Sequence, residues 1–227
     1  MQKRAETTRR SILEAAAHLF DQRGFFGTSI SDISALSGRT SGAIYFHYTS
    51  KENLAACVVR EHFATWPPLI ARHAPAALPA LEGTVRLSFA VARAFRDDVV
   101  ARAGARLSAE RKSIEADLPA PFVGWIGTVT GLLERAGEEG DLAPGAVPAR
   151  AAHGVVSAFF GLHTVADALD GRQTIEARLH DLWLLLLPAL QADPDSQGLL
   201  ERARRGFTEE LPRPAAPPRT GAGAVSR

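Results

Sequence analysis

The stretch from Thr28 to Lys51, TSISDISALSGRTSGAIYFHYTSK, constrains the fold more than any other part of the chain. Ile30, Ile33 and Leu36 recur at helical spacing and give a first short helix one apolar edge. Ser29, followed three residues on by Asp32, matches a capped helix start with Asp in place of the usual Glu. Ser37-Gly38 ends that helix, because Gly38 can take the left-handed conformation of a C-terminal cap. Thr40 or Ser41 then caps a second helix. Ile44 and Tyr48, four apart, face inward together and leave Thr40, Ser41, Ala43, Tyr45 and His47 on the outside. Two helices joined by a glycine turn, the second starting with small polar residues, form a helix-turn-helix DNA reader. The first turn of its second helix enters a major groove, where small side chains let the backbone approach the bases. The same pattern also fits a helical hairpin in any all-α protein.

The flanking sequence is helical throughout. Upstream, Ile12, Ala16, Leu19 and Phe20 mark a helix from about Glu6 to Arg23 that Gly24 ends and that braces the hairpin, with Phe25 packed between the helices. The basic arm before it, Gln2 to Arg10, either lies along a phosphate backbone or is simply solvated. Downstream, a helix from Glu52 to about Ala71 links head to body, with Pro67-Pro68 expected to break or kink it. Helices follow over Leu81–Phe95, from an Asp98 cap to about Leu107, from the Leu118-Pro119-Ala120-Pro121 run through Trp125 to Ala136, and over about 147–169 and 174–190. The last two are rich in small and apolar residues and are expected to pair with a second copy. Residues 195–206 read as a frayed helix, and PRPAAPPRTGAGAVSR beyond Leu211 lacks the means to build a core and reads as disordered. The expected organisation is all-α: a three-helix DNA-binding head over 1–51, a larger ligand-binding and dimerisation body over 52–192, and a tail over 193–227.

Composition narrows the function. Net charge is +1, but residues 1–51 carry +3, residues 196–227 carry +3 and the middle −5, which suits a protein that meets phosphate with one end. The single cysteine, Cys57, excludes an internal disulfide and fits a reducing compartment. The polar start, MQKRAETTRR, has no apolar segment of a signal peptide, and Leu182–Leu190 is too short to span a bilayer, so a cytoplasmic protein without membrane contact is expected. There is no Gly-rich phosphate loop, nucleophile elbow or HExxH pattern, so neither an enzyme nor a cofactor is expected. His163 and Asp167 are four apart on one helix, but two ligands do not make a metal site.

The run Gly42-Ala43-Ile44-Tyr45-Phe46-His47-Tyr48, with Ser50-Lys51-Glu52-Asn53-Leu54 after it and Ile12-Leu13-Glu14-Ala15-Ala16, Leu19-Phe20, Gly24-Phe25 and Thr28-Ser29 before it, resembles the signature of TetR-type transcriptional regulators. That resemblance implies a homodimer on a palindromic double-stranded operator, through a four-helix interface of helices 147–169 and 174–190. Arg39, Thr40, Ser41, Ala43 and Tyr45 are expected near bases, Gly42 within the same contact set, and Thr28, His47 and Lys51 on phosphates.

The body run Ala103-Gly104-Ala105-Arg106-Leu107, then Leu118-Pro119-Ala120-Pro121-Phe122, Trp125 and Ala158-Phe159-Phe160-Gly161, resembles the γ-butyrolactone-type autoregulator receptors of filamentous actinobacteria. The resemblance implies repression of antibiotic-synthesis genes until a small diffusible, lipophilic signal binds, with Trp125 lining the cavity. Phe63, Trp66, Phe89, Ser108, Phe122, Phe159 and His163 complete the expected ligand set; for each aromatic a plain core role is the alternative. Receptors of this kind start the reading helix with Thr-Lys-Gly, whereas this chain has Thr40-Ser41-Gly42, so one lysine contact is missing. A pseudo-receptor answering to an antibiotic or a biosynthetic intermediate fits the same residues.

Overall fold

The computed structural model describes residues 2–209, and the Pro-rich segment beyond Leu211 lies outside them. Among the described residues the chain forms ten α-helices: α1 Gln2–Arg23, α2 Ile30–Ser37, α3 Ser41–Tyr48, α4 Lys51–His73, α5 Ala80–Asp97, α6 Val99–Ala109, α7 Val123–Glu138, α8 Pro148–Asp170, α9 Ile175–Leu190 and α10 Ser196–Glu209. A 3-10 turn over Arg111–Ser113 follows α6. A β-bridge, Leu142 with Gln191, ties the loop after α7 to the end of α9.

Two apolar cores divide the molecule. The head core holds Ile12, Phe20, Ile33, Ile44, Tyr48 and Leu54, but it is completed by Val100, Ala103 and Leu107 of α6 and by Ile114 and Leu118 of the following loop. The body core gathers α5 and α7–α10 around Phe89, Phe95, Leu133, Leu179 and Trp183. Between the cores α4 and α6 lie close together. A Cβ on Gly104 would stand 2.2 Å from the Cβ of His62. Only glycine permits that approach, and across the seam His62 Nδ1 is 2.8 Å from the carbonyl oxygen of Ala101.

Several boundaries depart from the sequence expectation. The basic arm is helical from Gln2, so α1 has no separate extended lead. α4 runs unbroken through Pro67 and Pro68. Both prolines are exposed, so their rings meet solvent and not packed neighbours. α7 starts only at Val123, after both prolines of the Leu118–Pro121 run, because Phe122 adopts a left-handed φ of 68° that a helix cannot include. Leu36, expected on the inward edge of α2, is 54% exposed; at about 100° per residue it stands about 120° around the helix from Ile30, so both cannot flank Ile33 on the core side. The segment expected to fray is a docked helix: Leu200, Ala203 and Phe207 of α10 are buried, with the guanidinium of Arg93 4.2 Å from the Phe207 ring centre.

Candidate DNA-reading face and effector clefts

Local capping builds the reading face. Ser29 Oγ accepts from the Asp32 amide at 3.1 Å and Asp32 Oδ2 accepts from the Ser29 amide at 3.0 Å, closing a reciprocal box at the start of α2. The Ser29 hydroxyl also donates to Asp32 Oδ2 at 2.6 Å, and this bond, with that of the Ser29 amide after it, holds the Asp32 carboxyl below its ordinary range. Gly38 ends α2 at φ 63°, with its amide donating to the Ser34 carbonyl. Thr40 Oγ1 then accepts from the Ala43 amide at 3.2 Å and fixes the start of α3. Ile44 and Tyr48 enter the head core, and the Tyr48 hydroxyl donates to the Arg9 carbonyl at 2.8 Å. Burial pushes that phenol up to about 12, so it stays a donor at any physiological pH.

Arg39, Thr40, Ser41, Gly42 and Tyr45 are exposed, and Ala43 and His47 half-buried, on the side of α3 away from the core. Arg39 Nε donates to Ser11 Oγ at 3.3 Å and so steadies the turn against α1. Two expected phosphate contacts are redirected inward. Thr28 is 2% exposed, and its hydroxyl donates to the Gly24 carbonyl at 2.9 Å, closing the α1–α2 turn. The Lys51 ammonium donates to the carbonyls of Phe25 and Thr28, both at 3.1 Å, and stands 4.1 Å from the Phe25 ring centre. The reason is common to both: the turn leaves carbonyls without helical partners, and a hydroxyl and a cation close by satisfy them.

Two hollows lie in the body. One is a cleft of about 260 Å³, partly open to solvent, where α1, α4, α6, α7 and α8 meet. Phe63, Ser108, Phe122, Trp125 and His163 of the expected ligand set line it together, with Asp21, Arg102, Arg106 and Arg172. Burial, and after it the nearby Arg172 and Arg102, push His163 down to about 4. The ring is therefore neutral, and its Nε2 accepts from Arg172 Nε at 3.0 Å. Arg172 also pairs with Asp167 at 2.8 Å, so the two residues weighed for a metal are engaged by one buried arginine. Burial likewise pushes His62, on the same wall, down to about 4. The second hollow is much tighter, about 40 Å³; it is apolar and lies among α5, α7, α8 and α9, with Phe159, Leu179 and Trp183 in its lining. Trp125 and Phe160 line both.

Two expected residues lie elsewhere. Trp66 is buried behind the wall, its ring 5.3 Å from that of Trp125 and its indole nitrogen without a hydrogen-bond partner. Phe89 lines neither hollow and packs on Phe207 of α10, a helix whose docking the sequence pattern did not suggest. Conversely, the sequence reading missed the charged joint. Arg102 Nε donates to Asp21 Oδ2 at 2.8 Å, and Arg106 Nη1 to the Asp21 carbonyl at 2.7 Å, bolting α6 to the last turns of α1. Glu110 accepts from the Phe25 amide at 2.8 Å. Arg102, Arg106 and Glu110 recur every four residues, a spacing that signals one polar face; Arg172, on a turn with φ 69°, carries no such signal.

α8 and α9 also expose Val165, Leu169 and Leu185, with Gly154 and Gly161 open on the same helix as the first two. Among the described residues no helix is long and apolar enough to cross a membrane.

A capped helix-turn-helix on a helical body with its own cavities defines the class of one-chain bacterial regulators in which a reading head and a sensing body are fused. Residues 12–58 match the model for bacterial regulatory proteins of the tetR family, and residues 78–192 the model for the tetracyclin repressor-like C-terminal domain. The chain is 32% identical over 189 residues to the A-factor receptor protein of Streptomyces griseus, covering 83% of this chain and 66% of that protein. A solved structure concerned with control of antibiotic production by bacterial hormones is 44% identical, with a TM-score of 0.74 over 82% of this chain and 98% of its own. CprB of Streptomyces coelicolor in complex with its biological operator is 31% identical, with a TM-score of 0.80 over 90% and 98%. The chain belongs to the TetR family of transcriptional regulators.

Proposed function

We propose that this protein is a cytoplasmic, homodimeric repressor that binds a palindromic operator and is released by a small diffusible signal of the γ-butyrolactone type or a close relative, in control of secondary-metabolite genes. The head over 1–51 reads DNA through α3; the body over 52–192 senses the signal and dimerises through the exposed apolar faces of α8 and α9, which gives the two-fold symmetry of a palindrome. Arg39, Thr40, Ser41, Gly42, Ala43 and Tyr45 meet base edges, while His47 takes a phosphate.

One observation carries the signal-responsive half. The hollow lined by Trp125 and His163 also contains Asp21 and Arg102, the ion pair that bolts the body to the head. A ligand seated there touches the joint itself, and one that binds better when the joint is displaced shifts the population away from the DNA-competent state. Resemblance to an operator complex and to the A-factor receptor supports the same reading.

A gel-shift titration on the protein's own upstream DNA tests it, with and without a series of synthetic 2-alkyl-γ-butyrolactones and an organic extract of the producing culture. Release by either is expected for the wild type. Trp125→Ala should keep its DNA affinity within about threefold and lose release; persistent release would move the pocket elsewhere. Tyr45→Ala should weaken operator binding about tenfold or more, the worth of one good base contact, with an unchanged dimer; unaltered affinity would sink the assignment of this face.

A further inference from the structure

The reading helix carries one large apolar side chain that no packing role explains. Phe46 is 82% exposed, more than any other large hydrophobic residue among those described. Its position follows from helix geometry. Ile44 and Tyr48 enter the core, and at about 100° per residue Phe46 stands about 180° from the midpoint of that pair. It therefore occupies the outermost line of α3. Gly42, one turn earlier, lies close to the same line, and a Cβ there would meet nothing nearer than Thr40 Oγ1 at 3.9 Å. The outward stripe is bare backbone at Gly42 and then a phenyl ring about 6 Å further along the axis. That ring rests edge-on against His47, 5.2 Å between centres at 81°, which limits its swing without burying it.

A phenyl ring neither donates nor accepts a conventional hydrogen bond, so it cannot hold a phosphate or pair with a polar base edge. The apolar feature that a major groove presents at base level is the C5-methyl group of thymine. We propose that Phe46 is a specificity-determining residue that reads a thymine methyl group in each operator half-site, beside the polar contacts made by Thr40 to Tyr45. The inference rests on the reading of α3 as the DNA-entering helix, and its occupant follows from continuity with that face.

The experiment uses the full-length dimer and duplexes covering the footprint on its own upstream DNA. Each thymine of the half-site is replaced in turn, symmetrically, by deoxyuridine, which removes only the methyl group. Affinities are measured for wild type, Phe46→Ala and Phe46→Leu. For the wild type, one thymine position should cost about fourfold per half-site on loss of its methyl, the worth of one buried methyl group. Phe46→Ala should bind the natural operator about tenfold more weakly, respond to no change at that position and keep the wild-type response at all others. Phe46→Leu should retain part of the methyl sensitivity. Two outcomes overturn the proposal: a Phe46→Ala profile that matches the wild type thymine by thymine, or a uniform loss with no thymine position sensitive in the wild type, which would place the ring on the sugar–phosphate backbone. Failure of the wild type to bind any of these duplexes would instead overturn the repressor reading on which the inference rests. Circular dichroism melting controls for folding, which an exposed ring should leave unchanged.

Discussion

The two hollows of the body share Trp125 and Phe160 and differ in almost everything else. One is walled almost wholly by aliphatic and aromatic side chains of α5, α7, α8 and α9, with the hydroxyls of Thr84 and Ser88 and no titratable residue in its lining. The other carries three arginines, two aspartates and two histidines, and reaches the end of α1. Apolar walls supply affinity for a lipophilic molecule through area removed from water, but they report nothing to a distant element. A polar joint supplies little net affinity, since its charges are already paired, yet it has discrete partners to lose. The contrast teaches that holding a signal and answering it are separable tasks, and that Trp125 stands where the two meet.

That contrast is open to attack first through pH. His62 and His163 line only the polar hollow and are held near 4, well below the unfolded value. Between about pH 4 and 6.5 the unfolded chain binds more protons than the folded one, so stability rises with pH. It is fully present above about 6.5 and lost as pH falls towards 4, by about 3 kcal/mol at most for each ring. Urea midpoints across this window should show the slope, His163→Gln should remove about half of it, and Leu186→Ala in the apolar hollow should leave it intact. A slope that survives His163→Gln unchanged would place the titrating groups elsewhere.

The next effect in size belongs to the seam beneath the polar hollow. Gly104→Ala places a Cβ 2.2 Å from that of His62, and neither backbone has a flexible tip to move aside. A loss of about 3 kcal/mol is expected, with weaker operator binding as α6 is pushed off α4. A variant as stable as the wild type would show that the seam is looser than the contact implies. The smallest effect concerns the bolt. Asp21→Asn keeps the shape but removes the charge facing Arg102, in a pair whose side chains are 20% and 18% exposed. About 2 kcal/mol should be lost, Arg102→Met should cost a similar amount, and the double variant should cost no more than either single change. Strict additivity in the urea midpoints would break the claim that these residues act on one joint.

Much of the head was legible because its signals are local. Ser29 with Asp32, Gly38 and Thr40 each satisfy helix-end groups within a few residues of themselves, as Asp98 does at the start of α6 in the body, so their spacing in sequence is their spacing in space. Side chains that answer to distant groups were misread. Lys51 was expected on phosphate because its charge is visible in the sequence, whereas the carbonyls of Phe25 and Thr28 that take it up are not. Phe89 was expected in a pocket because nothing in its own helix announces that Phe207 covers it. The prolines of α4 and of the loop before α7 show the same limit. Proline removes an amide in either place, but only the surroundings decide whether the helix runs on, as through the exposed Pro67 and Pro68, or waits until Val123.

The floor of the head core bears on how such regulators can be rearranged. Val100, Ala103, Leu107, Ile114 and Leu118 belong by sequence to the body, yet they pack among Ile12, Phe20 and Leu54. A reading head cut out at the start of α4 and grafted onto another sensor would arrive with an unroofed apolar face and with Asp21 facing no arginine. A working chimera has to carry the first turns of α4, to Val59, and the 99–118 segment along with the head, so the heritable unit of DNA specificity in this chain is two stretches of sequence that travel together.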